Sequence, residues 1–232
     1  MSRMETGDIE EKFRGIKCFI FDMDGTLVDS EMNTGLAVDK LLTDEGIEHP
    51  GLDETLCYGK TWQLCVEELY KLYPQLQNTV GEAKAMDKLQ YDFENAPEPS
   101  PMEKAVWAVS QAHATIGKTA IATSSNRESL TNTIGRLNIA SLLTVAIGAE
   151  DYTKSKPDPD PYLTAAKLLG MDPASCLVFE DSIAGIKAGK AAGMSVIAIL
   201  QRSPDADLAK SLADAAITNY AELPLDFFEK IK

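Results

Sequence analysis

The chain has 232 residues, 44% hydrophobic and 25% charged, a composition typical of a globular protein rather than of a disordered chain. Its formal net charge of −14 argues against nucleic acid as a partner, because such binding depends on Lys and Arg side chains that neutralise phosphates. The longest apolar runs, 18–21 and 196–200, are strand-sized, so the sequence predicts no membrane-spanning segment and no membrane partner. Residues 1–14 are charged and lack the apolar core of a secretory signal, and we therefore expect a cytoplasmic location.

The first predicted element is a buried strand over residues 18–21, directly followed by the sequence Asp-Met-Asp-Gly-Thr. This order places Asp22 and Asp24 at the C-terminal tip of the strand, where open α/β sheets bind ligands. A turn without function is the alternative, since Asp and Gly are common in turns. A calcium-binding EF-hand loop is excluded, because its sixth position would be Leu27 rather than Gly and its twelfth Asn33 rather than Glu.

The segment 33–96 has a different pattern, in which leucines recur at helical spacing without any strand-like alternation. This pattern predicts three or four helices. The prolines at positions 97, 99 and 101 then favour a stiff, extended connection back to the rest of the chain. We therefore predict an α-helical domain over residues 33–96, inserted into a core formed by residues 1–32 and 97–232.

Beyond the insert, predicted strands and helices alternate regularly. The alternation predicts βαβ units and a mostly parallel sheet covered by helices on both faces. The predicted strands are 118–123, 144–147, 176–179, 195–200 and 215–218. The predicted helices are 102–115, 128–137, 161–169 and 183–192.

Three of these strands are followed by polar residues that a plain core does not require. A hydroxyl-rich turn begins at Thr123, Lys156 lies in a proline-spaced segment after the next strand, and the pair Glu180 and Asp181 follows the third. Taken alone, the first is better explained by a helix N-cap and the second by a solvated loop. Two adjacent carboxylates directly after an apolar strand are harder to explain in this way, since unpaired acids there repel one another.

Together these features resemble the haloacid dehalogenase superfamily of phosphotransferases, in particular its β-phosphoglucomutase-like and phosphoglycolate-phosphatase-like members. The motifs of that family are Asp-x-Asp-Gly-Thr after a strand, a Ser or Thr that ends a second strand, a Lys followed by Pro-x-Pro, and an acid pair before a Gly- and Ala-rich helix. They occur here in that order as residues 22–26, Thr123, Lys156 and residues 180–194. The resemblance covers about residues 17–200. It implies an α/β fold with a Rossmann-like parallel sheet and an inserted α-helical cap domain.

The resemblance also implies roles for the motif residues. Asp22 is the expected nucleophile, which forms an aspartyl-phosphate, and Asp24 the expected acid and base. Thr123 and Ser124 are expected to bind the phosphoryl oxygens, and Lys156 to offset their charge. Crowded acids beside a phosphate are tolerable only with a hard divalent cation, for which Mg²⁺ is the natural choice. Its implied ligands are the carboxylates of Asp22 and Asp181, the backbone carbonyl of Asp24 and, closer to an outer shell, Glu180.

Substrate choice is expected to depend on further residues, for which the candidates are Thr34, Lys60 and Asn126, beside Thr123, Ser124 and Lys156. In β-phosphoglucomutases a His occupies the place where Thr34 aligns, and its absence favours hydrolysis over mutase chemistry. The sequence therefore predicts a monomeric, Mg²⁺-dependent phosphatase whose partner is a small phosphorylated metabolite, such as a sugar or polyol phosphate. A sugar phosphomutase and a non-catalytic binding protein that retains the fold are the alternatives.

Overall fold

Six parallel strands form the sheet of one of two structural units. The computed structural model describes residues 11–51, 57, 62–203 and 205–232. One unit consists of Met1–Asp29 and Pro101–Lys232, and the other of Ser30–Ser100. The strands of the first unit are β1 (Cys18–Phe21), β2 (Thr119–Ala122), β3 (Val145–Ile147), β4 (Cys176–Glu180), β5 (Ser195–Ile199) and β6 (Ala215–Ile217).

The strands lie in the order β3-β2-β1-β4-β5-β6, and every neighbouring pair is parallel. The prediction of an α/β fold with a parallel sheet is therefore confirmed. Phe21 of β1 is in register with Ile121 of β2 and with Phe179 of β4. Since the C-terminal ends of parallel strands meet at one edge, the residues that follow these three neighbouring strands are brought together there.

The two faces of the sheet bury different side chains, because successive residues of a strand point in opposite directions. In β1, Phe19 and Phe21 belong to one hydrophobic cluster. Cys18 and Ile20 belong to the cluster on the other face. Cys18 is in register with Cys176 of β4, with Cα atoms 4.9 Å apart, and the two sulfur atoms are in contact.

Helices cover both faces of this sheet. Helices are numbered along the whole chain, and α1 to α4 belong to the second unit. The helices of the first unit are α5 (Ala105–Ile116), α6 (Arg127–Leu137), α7 (Asp160–Leu169), α8 (Ile183–Ala191), α9 (Ala206–Leu212) and α10 (Phe227–Ile231). Residues of α5, α6 and α10 pack in the cluster that contains Phe21. Residues of α7, α8 and α9 pack in the cluster that contains Ile20. The sequence predicted α5 to α8 and missed the two short helices α9 and α10.

The second unit has only helices as regular secondary structure among its described residues. Its helices are α1 (Glu31–Asp44), α2 (Trp62–Leu72), α3 (Leu76–Thr79) and α4 (Glu82–Glu94). They bury a hydrophobic core of their own, in which Leu41, Leu69 and Leu89 are fully inaccessible. Throughout the described part of the chain, every helix is too short or too polar to cross a membrane.

Candidate active site

Asp22 is the first residue after β1, one of the two central strands of the sheet. Its backbone N–H donates to the carbonyl of Phe179 at 3.0 Å, so the pairing of β1 with β4 continues to this point. Its side chain is almost fully buried. Thr123 follows β2 on one side, and Glu180 ends β4 on the other. The sheet therefore places a carboxylate between a hydroxyl and a second carboxylate.

Lys156 provides the positive charge of this site. Its Nζ lies 2.5 Å from Oδ1 of Asp22, 2.7 Å from Oε1 of Glu180 and 3.2 Å from the carbonyl oxygen of Ala122. The side chain is 5% exposed. Burial lowers the pKa of Lys156, but the two carboxylates outweigh this effect and hold the pKa well above its ordinary value. The ammonium group is therefore charged at neutral pH.

Glu180 is held in place by four hydrogen bonds. Its Oε1 accepts from Lys156 and, at 3.0 Å, from the hydroxyl of Tyr162. Its Oε2 accepts from the backbone N–H of Ser182 at 2.8 Å and from the Ser182 hydroxyl at 3.0 Å. A Cβ atom at Gly185 would overlap the Glu180 carboxylate, so the glycine at this position in α8 makes room for it. Glu180 thus fixes the position of the Lys156 ammonium group.

Asp181 is positioned by the turn after β1. Gly25 adopts a φ of +75°, in the left-handed region that favours glycine, and a Cβ atom there would overlap the Asp181 carboxylate. The hydroxyl of Thr26 donates to Oδ1 of Asp181 at 3.0 Å. The glycine of the Asp-Met-Asp-Gly-Thr sequence therefore has two functions: it allows the turn, and it lets Asp181 approach the backbone closely.

Asp22, Glu180 and Asp181 form a buried acidic cluster, in which one carboxylate oxygen of each lies within 4.8 Å of the others. Burial raises the pKa of Asp22 to about 8, with further increases from Glu180 and Asp24, while Lys156 opposes the shift. A donor set made only of carboxylate oxygens fits a hard divalent cation such as Mg²⁺.

Asp24 lies against the hydroxyl-rich turn that follows β2. The hydroxyl of Ser125 donates to Oδ2 of Asp24 at 2.6 Å, and the hydroxyl of Thr123 lies 3.4 Å from the same oxygen. The backbone N–H of Ser125 in turn donates to Oγ1 of Thr123 at 3.0 Å. The sequence predicts roles for Thr123, Ser124 and Asn126 in this turn and none for Ser125. The two-residue spacing between Thr123 and Ser125 is the signal that could have indicated a role for Ser125.

The remaining predicted binding residues are Ser124, Asn126, Thr34 and Lys60. Ser124 is exposed, and Asn126 is the N-cap of α6, where its side chain accepts the backbone N–H of Ser129 at 2.9 Å. Thr34 lies in α1 of the second unit and is half-buried. Lys60 lies outside the described residues. The roles of these four residues in substrate binding stay predictions.

The sequence matches the haloacid dehalogenase-like hydrolase family over residues 19–199, and the chain belongs to that family. The resemblance found in the motifs is therefore confirmed, and the protein is a hydrolase of this class.

Among its relatives is the bifunctional riboflavin kinase/FMN phosphatase of Arabidopsis thaliana, which is 30% identical over 90% of this chain. The match covers 55% of that larger protein. Hexitol phosphatase B of Escherichia coli is 28% identical over 90% of this chain and 95% of its own length. A HAD family hydrolase from Deinococcus radiodurans, whose crystal structure has bound phosphate and sodium, is 25% identical with a TM-score of 0.77, over 94% of this chain and 98% of that one.

Proposed function

We propose that the protein is a Mg²⁺-dependent phosphatase that hydrolyses a small phosphorylated metabolite, such as a sugar or polyol phosphate, through an aspartyl-phosphate. The observation that carries this proposal is the environment of Asp22, a buried carboxylate at the tip of a central strand, with Lys156 at 2.5 Å and two further acids beside it. The relatives named FMN phosphatase and hexitol phosphatase support the substrate class.

In the proposed mechanism, Asp22 attacks phosphorus and the bond from phosphorus to the substrate oxygen breaks. Asp24 donates a proton to the leaving alkoxide and then accepts one from the water that hydrolyses the aspartyl-phosphate. The Lys156 ammonium and the Thr123 hydroxyl stabilise the charge on the phosphoryl oxygens. The Ser125 hydroxyl keeps the Asp24 carboxyl group in position through its hydrogen bond to Oδ2.

Mg²⁺ would be held by the carboxylates of Asp22 and Asp181 and the backbone carbonyl of Asp24. Glu180 would lie in an outer shell of the ion, next to Lys156. When bound, the ion would neutralise charge between the incoming phosphate and the acids. The charge of the ion would also favour the ionised form of Asp22, which a nucleophile requires and which burial opposes. We further infer that the helical insert over residues 33–96 acts as a cap domain that selects the substrate.

The test is phosphate release from a panel of sugar, polyol and nucleotide phosphates, with Mg²⁺ and with a chelator, for the wild type and Asp22→Asn. We expect release only with Mg²⁺, and a loss of activity in the variant of at least about a thousandfold, as for removal of other catalytic nucleophiles. Asp207→Asn is the matched control, because the Asp207 side chain is 99% exposed.

Retained turnover in Asp22→Asn would refute the assigned nucleophile. Analysis of the organic product separates hydrolysis from the mutase alternative, since conversion of β-glucose 1-phosphate to an isomer without free phosphate contradicts a phosphatase. Absence of phosphate release from every compound of the panel supports a non-catalytic binding protein instead.

A further inference from the structure

The turn that carries Thr123 and Ser125 is held from one side by the residues that follow β3. We call residues 123–127 the hydroxyl turn and residues 148–152 the bracing segment. The backbone N–H of Ala149 donates to the carbonyl of Ser125 at 2.9 Å. The hydroxyl of Tyr152 donates to the carbonyl of Thr123 at 3.0 Å. The bracing segment therefore binds the backbone of both residues whose hydroxyls lie at Asp24.

Glu150 binds the far end of the same turn. Its two carboxylate oxygens lie 3.1 and 3.0 Å from the backbone nitrogen of Arg127, which donates to them. Arg127 is the first residue of α6, so this N–H has no partner within the helix. The N-cap residue Asn126 serves a different donor, the N–H of Ser129. Glu150 thus supplies an acceptor from another part of the chain, and this fixes where the hydroxyl turn enters the helix.

The approach of the two segments is close and depends on a glycine. A Cβ atom at Gly148 would lie 2.9 Å from the carbonyl oxygen of Ser125 and 3.3 Å from the backbone nitrogen of Arg127. The N–H of Gly148 donates to Asp151 at 2.9 Å, and Asp151 also contacts the Arg127 guanidinium group. The Arg127 side chain is therefore directed at the bracing segment.

A solvated surface cluster is the simpler explanation, because Glu150 and the Arg127 side chain are exposed and surface ion pairs contribute little to stability. That explanation applies to Arg127 and Asp151. It does not explain why Glu150 accepts a main-chain donor at a turn in which Ser125 contacts Asp24 at 2.6 Å.

We propose that Glu150 is a positioning residue, which holds the hydroxyl turn in the geometry that binds the transferred phosphoryl group. This inference rests on the proposed function, since it takes the hydroxyl turn to be the anion-binding element. Positioning and simple electrostatics predict opposite effects for Glu150. As a negative charge near the site, Glu150 repels a phosphate dianion, so its removal by electrostatics alone would tighten phosphate binding. As a positioning residue, its removal weakens that binding.

The experiment measures the binding of inorganic phosphate in the presence of Mg²⁺, together with kcat and KM, for wild type, Glu150→Ala and Glu150→Gln. We expect Glu150→Ala to weaken phosphate binding about three- to tenfold, the effect of losing one capping hydrogen bond. Glu150→Gln removes the charge but keeps an acceptor oxygen, and we expect it to bind phosphate nearly as the wild type does. Amide hydrogen exchange of Arg127 should be faster in Glu150→Ala than in the wild type.

Glu222→Ala is the matched control, because Glu222 is also exposed and accepts a backbone N–H, that of Thr218, at 2.9 Å beyond the edge strand β6. We expect a similar small change in Tm and no change in phosphate binding. Unchanged or tighter phosphate binding in Glu150→Ala overturns the proposal. If the wild type neither binds nor releases phosphate, the proposed function fails. In that case the exchange of the Arg127 amide still decides whether Glu150 holds the turn, and an unchanged rate overturns that role.

Discussion

The hydroxyl of Tyr162 donates a hydrogen bond to Oε1 of Glu180 over 3.0 Å, and the Lys156 ammonium lies 4.9 Å above the Tyr162 ring. Tyr162 is fully buried, so its hydroxyl exchanges a bond to water for a bond to a carboxylate. Tyr220 is equally buried, yet no described residue accepts from or donates to its hydroxyl. The two tyrosines therefore form a matched pair, one with a charged partner and one without.

We expect Tyr162→Phe to lower the free energy of unfolding by about 1.5–3 kcal/mol, because Glu180 loses a hydrogen bond inside the protein. We expect Tyr220→Phe to change it by less than about 0.5 kcal/mol, or to stabilise the protein, because the buried hydroxyl contributes no bond. Urea unfolding of both variants is the measurement. Equal losses in the two variants would contradict the assigned difference between the hydroxyls.

Removal of the buried cation should be far more costly than removal of a surface one. Lys156→Met leaves Asp22 and Glu180 buried without their positive partner, and we expect a loss of about 3–5 kcal/mol in unfolding free energy. Lys190→Met is the control, because Lys190 contacts Asp214 at 2.6 Å but is 39% exposed, so its loss should stay below about 1 kcal/mol. Added Mg²⁺ should restore part of the stability of Lys156→Met. Similar losses in the two variants would contradict the larger contribution to stability assigned to the buried ion pairs of Lys156.

The position of Asp22 follows from the sequence because two independent signals agree. An apolar strand ends in acids, and parallel strands bring their C-terminal ends to one edge. The sequence alone therefore assigns Thr123, Lys156 and the pair Glu180 and Asp181 to one place. The parallel sheet itself was predictable for a similar reason, since alternating strands and helices leave few other arrangements.

Other features of the site depend on contacts that spacing does not encode. Whether Ser124 or Ser125 reaches Asp24 is decided by the turn, in which the Ser125 N–H binds Thr123. The bond from Arg127 to Glu150 exists because β2 and β3 are neighbours, and the residues are 23 positions apart. The sequence also placed Glu180 among the acids without indicating the four hydrogen bonds that direct it at Lys156.

Gly25 should be required for the metal site as well as for the turn. Alanine at Gly25, with a φ of +75°, is strained and also displaces the Asp181 carboxylate. Gly170 has a similar φ of +69° but no atom within 4 Å of an added Cβ, so Gly170→Ala carries the backbone strain alone, about 1 kcal/mol. We expect Gly25→Ala to be less stable than Gly170→Ala and to bind Mg²⁺ more weakly in calorimetry. Equal Mg²⁺ affinity in the two variants would contradict the role of Gly25 at Asp181.

Asp160 gives the segment before Lys156 a pH-dependent anchor. Its Oδ2 accepts hydrogen bonds from the backbone N–H groups of Lys154 at 3.0 Å and Thr153 at 2.7 Å. These bonds lower the pKa of Asp160, and the bond from Lys154 has the larger effect. A lowered pKa means that the ionised form is stabilised by folding, so this stability is present above the unfolded pKa of about 3.9 and is lost as the pH falls through the folded pKa.

We expect Asp160→Asn to have a lower Tm than the wild type at pH 7, and the difference in Tm to close progressively below about pH 4. Asp207→Asn, at a side chain 99% exposed, should show a smaller gap at pH 7. A Tm difference for Asp160→Asn that is the same at pH 7 and in acid would show that the charge of Asp160 does not hold this segment.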